Sequence, residues 1–193
     1  TVAAPAAPAV SAATATTAYN TPATVTPSAT GTGLVNASAC IVDGATCPTT
    51  LPVAGQGTWT VNTGDRSVTF TPLATFAGVA TAVTYRLSDI VGQQATGSVT
   101  MTVTAPLAPS VTVTTATTAH NTPATVTPSA TGTGLVNASA CIVDGASCPT
   151  TLAVAGQGTW TVNTTTRAVT FTPLAAYAGT AAAVTYRVAD IVG

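Results

Sequence analysis

Lysine and glutamate are both missing from this 193-residue chain. Its charges are nine: Arg66, Arg86, Arg167 and Arg187 against Asp43, Asp65, Asp89, Asp144 and Asp190. Soluble domains usually carry about a quarter of their residues as charges, whereas here the share is 5%. Four scattered arginines build no basic patch, which excludes nucleic acid as a partner. Nor is the deficit that of a disordered chain, which combines low hydrophobicity with high net charge. Long apolar runs are also lacking, because Thr, Gly or Pro interrupts each one well short of the roughly 18 to 20 residues of a membrane helix. No membrane span is expected. A positive n-region ahead of an apolar stretch is absent at the N-terminus, so the chain reads as a mature or excised segment. What fills the space is Thr, 45 residues, and Ala, 39 residues.

An internal repeat organises these residues. At an offset of 101 positions the chain aligns with itself without a gap, and 18 of the 92 aligned pairs differ. Cys40 falls on Cys141, Trp59 on Trp160 and Gly92 on Gly193. A unit of this size suits one small domain, so two modules are predicted. The expected boundaries are a tail and linker of a preceding repeat at 1–7, one module at 8–105 and a second at 106–193. Thr1-Val2 aligns with Thr102-Val103 and is therefore read as the end of an earlier copy. The second module is expected to lack its last strand, because Gly193 precedes any counterpart of Gln93–Thr104. An unpaired edge is expected there.

Periodicity selects the fold class. Val99, Met101 and Val103 alternate with Ser98, Thr100, Thr102 and Thr104, the period-2 pattern of a half-buried strand. Trp59 and Val61 alternate in the same way, Asn62-Thr63-Gly64-Asp65 supplies turn chemistry, and Val68 and Phe70 resume the pattern. This predicts a β-hairpin with all four apolar residues on one face. Val83, Tyr85 and Leu87 form a further strand, turned by Asp89-Ile90-Val91-Gly92 into the one ending at Val103. Val10 to Thr16, and Val111 to Thr117, read as first strands. Several short strands punctuated by proline predict an all-β chain of two tandem immunoglobulin-like sandwiches. The predicted core is Trp59, Val61, Val68, Phe70, Tyr85, Val99 and Met101, with counterparts that include Trp160, Phe171 and Tyr186.

The strings Gly57–Asn62, Val68-Thr69-Phe70-Thr71-Pro72, Phe76-Ala77-Gly78, and Val83–Asp89 followed by Gly92 resemble the CshA-type fibril repeat. They recur at Gly158–Asn163, Val169–Pro173, Tyr177-Ala178-Gly179 and Val184–Asp190, and together cover about the second half of each module. The resemblance implies β-sandwiches stacked end to end as the stalk of a bacterial surface fibre, extracellular and without catalysis. The implied partners are neighbouring copies of the repeat. Two other readings are repeats that themselves bind a host or partner-cell surface, and self-assembly in which an open edge takes a strand from a neighbour.

Each module has one cysteine pair, Cys40/Cys47 and Cys141/Cys148. Two cysteines per repeat around an Asp-Gly turn favour an intramodule disulfide and an oxidising compartment over zinc or free thiols. Zinc would need four ligands, and the single histidine, His120, aligns with Tyr19. That mismatch also removes a Ser/His/Asp or Cys/His catalytic set common to both modules. No cofactor and no enzyme activity are expected. Asp89 and Asp190 sit at turns where a carboxylate accepts backbone N–H groups. The sharper alternative for them, calcium, requires about six to eight oxygen ligands. Asp43, Asp65 and Asp89 are all that one module offers, and Asp65 aligns with Thr166. Arg86 and Arg187 are expected to pair with an Asp or to cover an aromatic ring. Gly31-Thr32-Gly33 is too short for a phosphate loop. Thr112-Val113-Thr114 has the look of a flat ice-binding array, but an alternating strand explains it more simply. Asn36-Ala37-Ser38 and Asn137-Ala138-Ser139 match the glycosylation sequon.

Overall fold

The computed structural model describes residues 3–112 and 114–193. Thr1, Val2 and Val113 lie outside the described residues, and with them the expected tail at Thr1-Val2 and the centre of the Thr112–Thr114 run. The chain divides into two compact units, Thr1–Ala105 and Pro106–Gly193. Every regular element among the described residues is a β-strand.

Unit 1 contains β1 (Ala9–Val10), β2 (Ala13–Thr17), β3 (Ala23–Val25), β4 (Ala29–Thr30), β5 (Leu34–Val42), β6 (Thr50–Val53), β7 (Gly57–Val61), β8 (Val68–Pro72), β9 (Gly78–Val79), β10 (Val83–Asp89) and β11 (Gln94–Val103). One sheet runs β2-β11-β10-β5, with β9 also on β11, another runs β3-β8-β7-β6, and β1 and β4 form a separate pair. β2 lies parallel to β11, from Ala13 opposite Val99 to Thr17 opposite Val103, whereas β10 pairs with β11 antiparallel. The period-2 pattern of the sequence is realised in these strands: Trp59, Val68, Phe70, Tyr85, Val99 and Met101 are fully buried. Trp59 meets Phe70 at a ring-centroid distance of 4.8 Å, and Phe76 closes on the edge of Phe70 at 5.9 Å. Such aromatic contacts add about 0.5–1.5 kcal/mol each to the area they bury.

The expected first strand, Val10 to Thr16, is two strands. Ala9–Val10 pairs with Ala29–Thr30, and Ala13–Thr17 crosses to the side of β11. The break at Ser11-Ala12 lets one stretch of chain serve two partners, which no periodicity of apolar residues encodes. Threonine accounts for the outer face of the other sheet. Thr50, Thr60, Thr69 and Thr24 stand in register across its four strands, and the Thr24 and Thr69 hydroxyls are 2.7 Å apart. β-branched hydroxyl residues both favour strands and stay hydrated without charge.

Unit 2 contains β12 (Ser110–Val111), β13 (Ala124–Val126), β14 (Ala130–Thr131), β15 (Leu135–Val143), β16 (Thr151–Val154), β17 (Gly158–Val162), β18 (Val169–Pro173) and β19 (Thr185–Asp190). Its sheet β13-β18-β17-β16 repeats the corresponding sheet of unit 1. The pairs β15-β19 and β12-β14 form two further sheets. Two expectations need correcting here. Val111 to Thr117 is not one strand among the described residues: β12 ends at Val111, and the described residues that follow carry no strand before Ala124. Trp160 and Tyr186 are half-buried rather than closed in a core, while Phe171 is 7% exposed. In unit 1, by comparison, β11 pairs with both β2 and β10.

Candidate functional site

The cysteines lie where β5 and β15 run into a tight loop. Cys40 is bonded to Cys47, and Cys141 to Cys148, each across a sequence separation of 7. Within the first loop Asp43 N–H donates to Thr46 O at 3.0 Å and Thr46 N–H returns to Asp43 O at 2.9 Å. Gly44, at φ 58°, makes the reversal possible. The same bridge forms between Asp144 and Ser147.

Asp89 is a buried turn organiser. Its Oδ1 accepts from Val91 N–H at 3.0 Å and Gln93 N–H at 2.8 Å, while Oδ2 accepts from Gln93 Nε2 at 2.8 Å. The same amide nitrogen reaches back to Pro5 O at 3.1 Å, joining the N-terminal stretch to the turn. Asp190 Oδ1 likewise accepts from Val192 N–H at 3.0 Å. The Asp65 carboxylate accepts from Ser67 N–H at 2.9 Å and from the Ser67 hydroxyl at 2.7 Å. Those bonds hold it below the usual carboxylate range. Among the described residues no three His, Cys, Asp or Glu side chains gather as they would round a metal ion.

Sequence reasoning treated Asn36 and Ser38 only as a sequon. In the fold both are structural. Asn36 Nδ2 donates to Gly64 O at 3.0 Å, tying β5 to the β7–β8 hairpin. The Ser38 hydroxyl donates to Val35 O at 2.6 Å and accepts from Ser88 N–H at 2.8 Å. It fills the register shift between β10 and β5 at Arg86/Ser88. Asn137 and Ser139 repeat both arrangements. A sequon match carries no hint of a bulge, so no sequence signal points to this role.

Arg66 was also missed as an inward-facing group. It occupies the left-handed region at φ 68° in the β7–β8 loop, and Arg167 does so at φ 64°. Its Nε and Nη1, Tyr85 Oη and Trp59 Nε1 are buried without hydrogen-bond partners among the described residues. Burial pushes the Tyr85 phenol up, and the positive field of Arg66 partly opposes it.

Unit 2 also carries a concave surface. A groove of about 840 Å³ is lined by Trp160, Phe171, Tyr177, Val184 and Tyr186 on one side and by Val111 and the stretch from Thr114 to Asn121 on the other. His120 lies on its rim and is exposed. Tyr19, at the equivalent place in unit 1, donates its hydroxyl to Ala74 O.

No helix is long and apolar enough to cross a membrane among the described residues. No curated protein matches the chain at a significant level. Three solved structures illustrate its likeness to tandem immunoglobulin domains. The N-terminal eight Ig domains of Down Syndrome Cell Adhesion Molecule isoform 1.30.30 match at 12% identity and TM-score 0.37, over 95% of this chain and 27% of that one. The N-terminal four Ig domains of Dscam1 isoform 9.44 match at 12% identity and TM-score 0.40, over 90% and 40%. Murine CEACAM1b matches at 15% identity and TM-score 0.33, over 86% and 85%. The chain thus spans less than half the length of the first two of these solved chains. Far more direct is a match to the profile of the surface adhesin CshA repetitive domain, made twice, over residues 1–103 and 106–193. The chain belongs to the surface adhesin CshA repetitive-domain family.

Proposed function

We propose that this chain is a spacer segment of a bacterial surface fibre, in which serial β-sandwiches hold an adhesive region away from the cell. The observation that supports the reading best is the double occurrence of one adhesin-repeat framework. Each copy has its own four-stranded sheet, its own disulfide and its own aromatic contacts. Its polar side chains are spent on turns and bulges: Asp89 on one turn, Asp65 on the hairpin loop, Ser38 on the bulge. Between the units lies Ala105-Pro106-Leu107-Ala108-Pro109, where each proline restricts its own φ and its predecessor's conformation. Such a stretch is a stiff connector rather than a free hinge. The disulfides agree with an extracellular location, since cystines persist in oxidising compartments.

Surface display tests this directly. A fibre carrying one, two or four copies of the repeat behind a fixed adhesive tip should change the reach of adhesion and leave the tip's affinity unaltered. Tight, saturable binding of the purified two-module chain to a host or partner-cell surface would overturn the spacer reading and favour repeats that bind for themselves.

A further inference from the structure

We infer that the outer edge of β16 pairs with the same edge of a second chain, joining two four-stranded sheets across a two-fold axis. Such pairing is independent of the spacer role. β16 is the last strand of β13-β18-β17-β16, as β6 is of β3-β8-β7-β6. The outer place is therefore common to both modules. What differs is one residue: Leu51-Pro52-Val53 in unit 1 is Leu152-Ala153-Val154 in unit 2.

The ladder settles which backbone groups face outward. Val162 N–H donates to Thr150 O at 2.7 Å, so those two residues form a hydrogen-bonded pair. Bonded and non-bonded pairs alternate along an antiparallel ladder, and Thr151 with Thr161 and Ala153 with Thr159 are the non-bonded ones. The N–H and C=O groups of Thr151 and Ala153 therefore point away from β17, along the open edge. Val61 N–H donates to Thr49 O at 2.7 Å, which fixes the same phase in unit 1. Pro52 holds the Ala153 place there, and its ring removes the outward donor. Proline on an outer strand guards against edge-to-edge association, as lysine and other charges do. β16 carries no such guard: Thr151-Leu152-Ala153-Val154 is uncharged and free of proline.

A second copy fits this edge because the edge is self-complementary. Antiparallel pairing centred on Leu152 sets Thr151 against Ala153 of the second chain, and Ala153 against its Thr151. Each of those pairs exchanges an N–H and a C=O in both directions. Leu152 meets its own copy in the close, non-bonded pair between them, on the core-facing side. Leu152 and Val154 are only half-buried in the single chain, so association covers apolar surface as well as backbone. A net charge of −1 opposes it little. The contact uses the same patch on both chains and therefore closes at two. In unit 1 the same arrangement would lose the bond donated from position 52 on each side and press the proline ring against Thr50.

The test is sedimentation equilibrium of the 193-residue chain from about 10 μM to about 1 mM, with amide exchange followed by NMR over the same range. The expected result is a reversible monomer–dimer equilibrium. The Thr151 and Ala153 amides should slow as concentration rises, while the Thr50 amide keeps its rate. Ala153→Pro installs the residue that unit 1 already accommodates in this place, so the variant should fold. It should weaken the dimer by about tenfold or more. Pro52→Ala should give the chain a second pairing edge and carry association past the dimer into open chains. A monomer throughout, a dimer that Ala153→Pro leaves unchanged, or a Pro52→Ala chain that stops at two would overturn the inference.

Discussion

Opening the Cys40–Cys47 bridge should lower the stability of unit 1 by about 2.5 kcal/mol and leave its native structure intact. The magnitude follows from ring size. The bridge closes a loop with a sequence separation of 7, and the loop-closure entropy for about eight residues gives that figure at 25 °C. The native loop is held independently of the sulfurs. Asp43 and Thr46 exchange two backbone bonds, and Ile41 N–H donates to Pro48 O at 2.9 Å. Hence the effect acts through the unfolded chain, which gains freedom when the cross-link is lost. Two perturbations separate its parts. Reduction of the wild type keeps both sulfurs and reports the entropy alone. Cys40→Ala/Cys47→Ala adds the packing lost at Cys40, which is 6% exposed, worth about 1 kcal/mol more. Urea unfolding followed by fluorescence in a Trp160→Phe background makes Trp59 the reporter of unit 1. Its midpoint should fall by about 1–2 M on reduction, and the melting temperature by about 10 °C. A loss below about 0.5 kcal/mol, or a near-UV dichroism change before unfolding, would show that the loop-closure argument is wrong for this bridge.

Three further outcomes are expected. Gly57→Ala should destabilise unit 1 by about 3 kcal/mol or more, since the added Cβ meets Thr71 O and lies 2.8 Å from both Phe70 Cζ and Pro72 Cα; urea unfolding of the soluble variant checks it. Asp89→Ala should cost about 3 kcal/mol, because its side chain accepts three hydrogen bonds. A loss below about 1 kcal/mol in paired denaturation curves would contradict that accounting. Tyr85 has its phenol raised above its ordinary value of 10.0 by burial. The stability this represents is fully present below the unfolded value and is lost as pH rises through the folded one. Urea midpoints between about pH 9 and 11.5 should therefore fall in the wild type and fall less steeply in Tyr85→Phe.

Elements whose two faces differ were legible in the sequence. Gly57–Val61 and Val68–Pro72 alternate large apolar residues with threonine, so their pairing and inward face could be read directly. The Asp89 turn was legible too, because a carboxylate two residues ahead of a free N–H has one obvious use. Stretches of Thr and Ala alone were opaque. Ala13–Thr17 has no apolar contrast, and its strand character is lent by β11. Ser38 was hidden for a different reason: a bulge is set by the register between two distant strands, and no local spacing announces it.

The parallel pairing of β2 with β11 also determines how unit 1 meets a force. β2 lies near the start of the unit and β11 at its end, with five residue pairs from Ala13–Val99 to Thr17–Val103 in register. Tension on the two ends pulls these strands in opposite directions along their common axis. The ladder bonds between them are then loaded in shear, all at once, rather than peeled one after another. Whatever lies behind that patch, including the buried Trp59 and Phe70, is reached by the load only after it gives way. Single-molecule pulling should show one abrupt rupture for unit 1, and Val99→Pro, which removes an N–H from the loaded strand, should lower the rupture force. A module assembled from uncharged threonine strands thus carries its strength in the direction in which its chain runs.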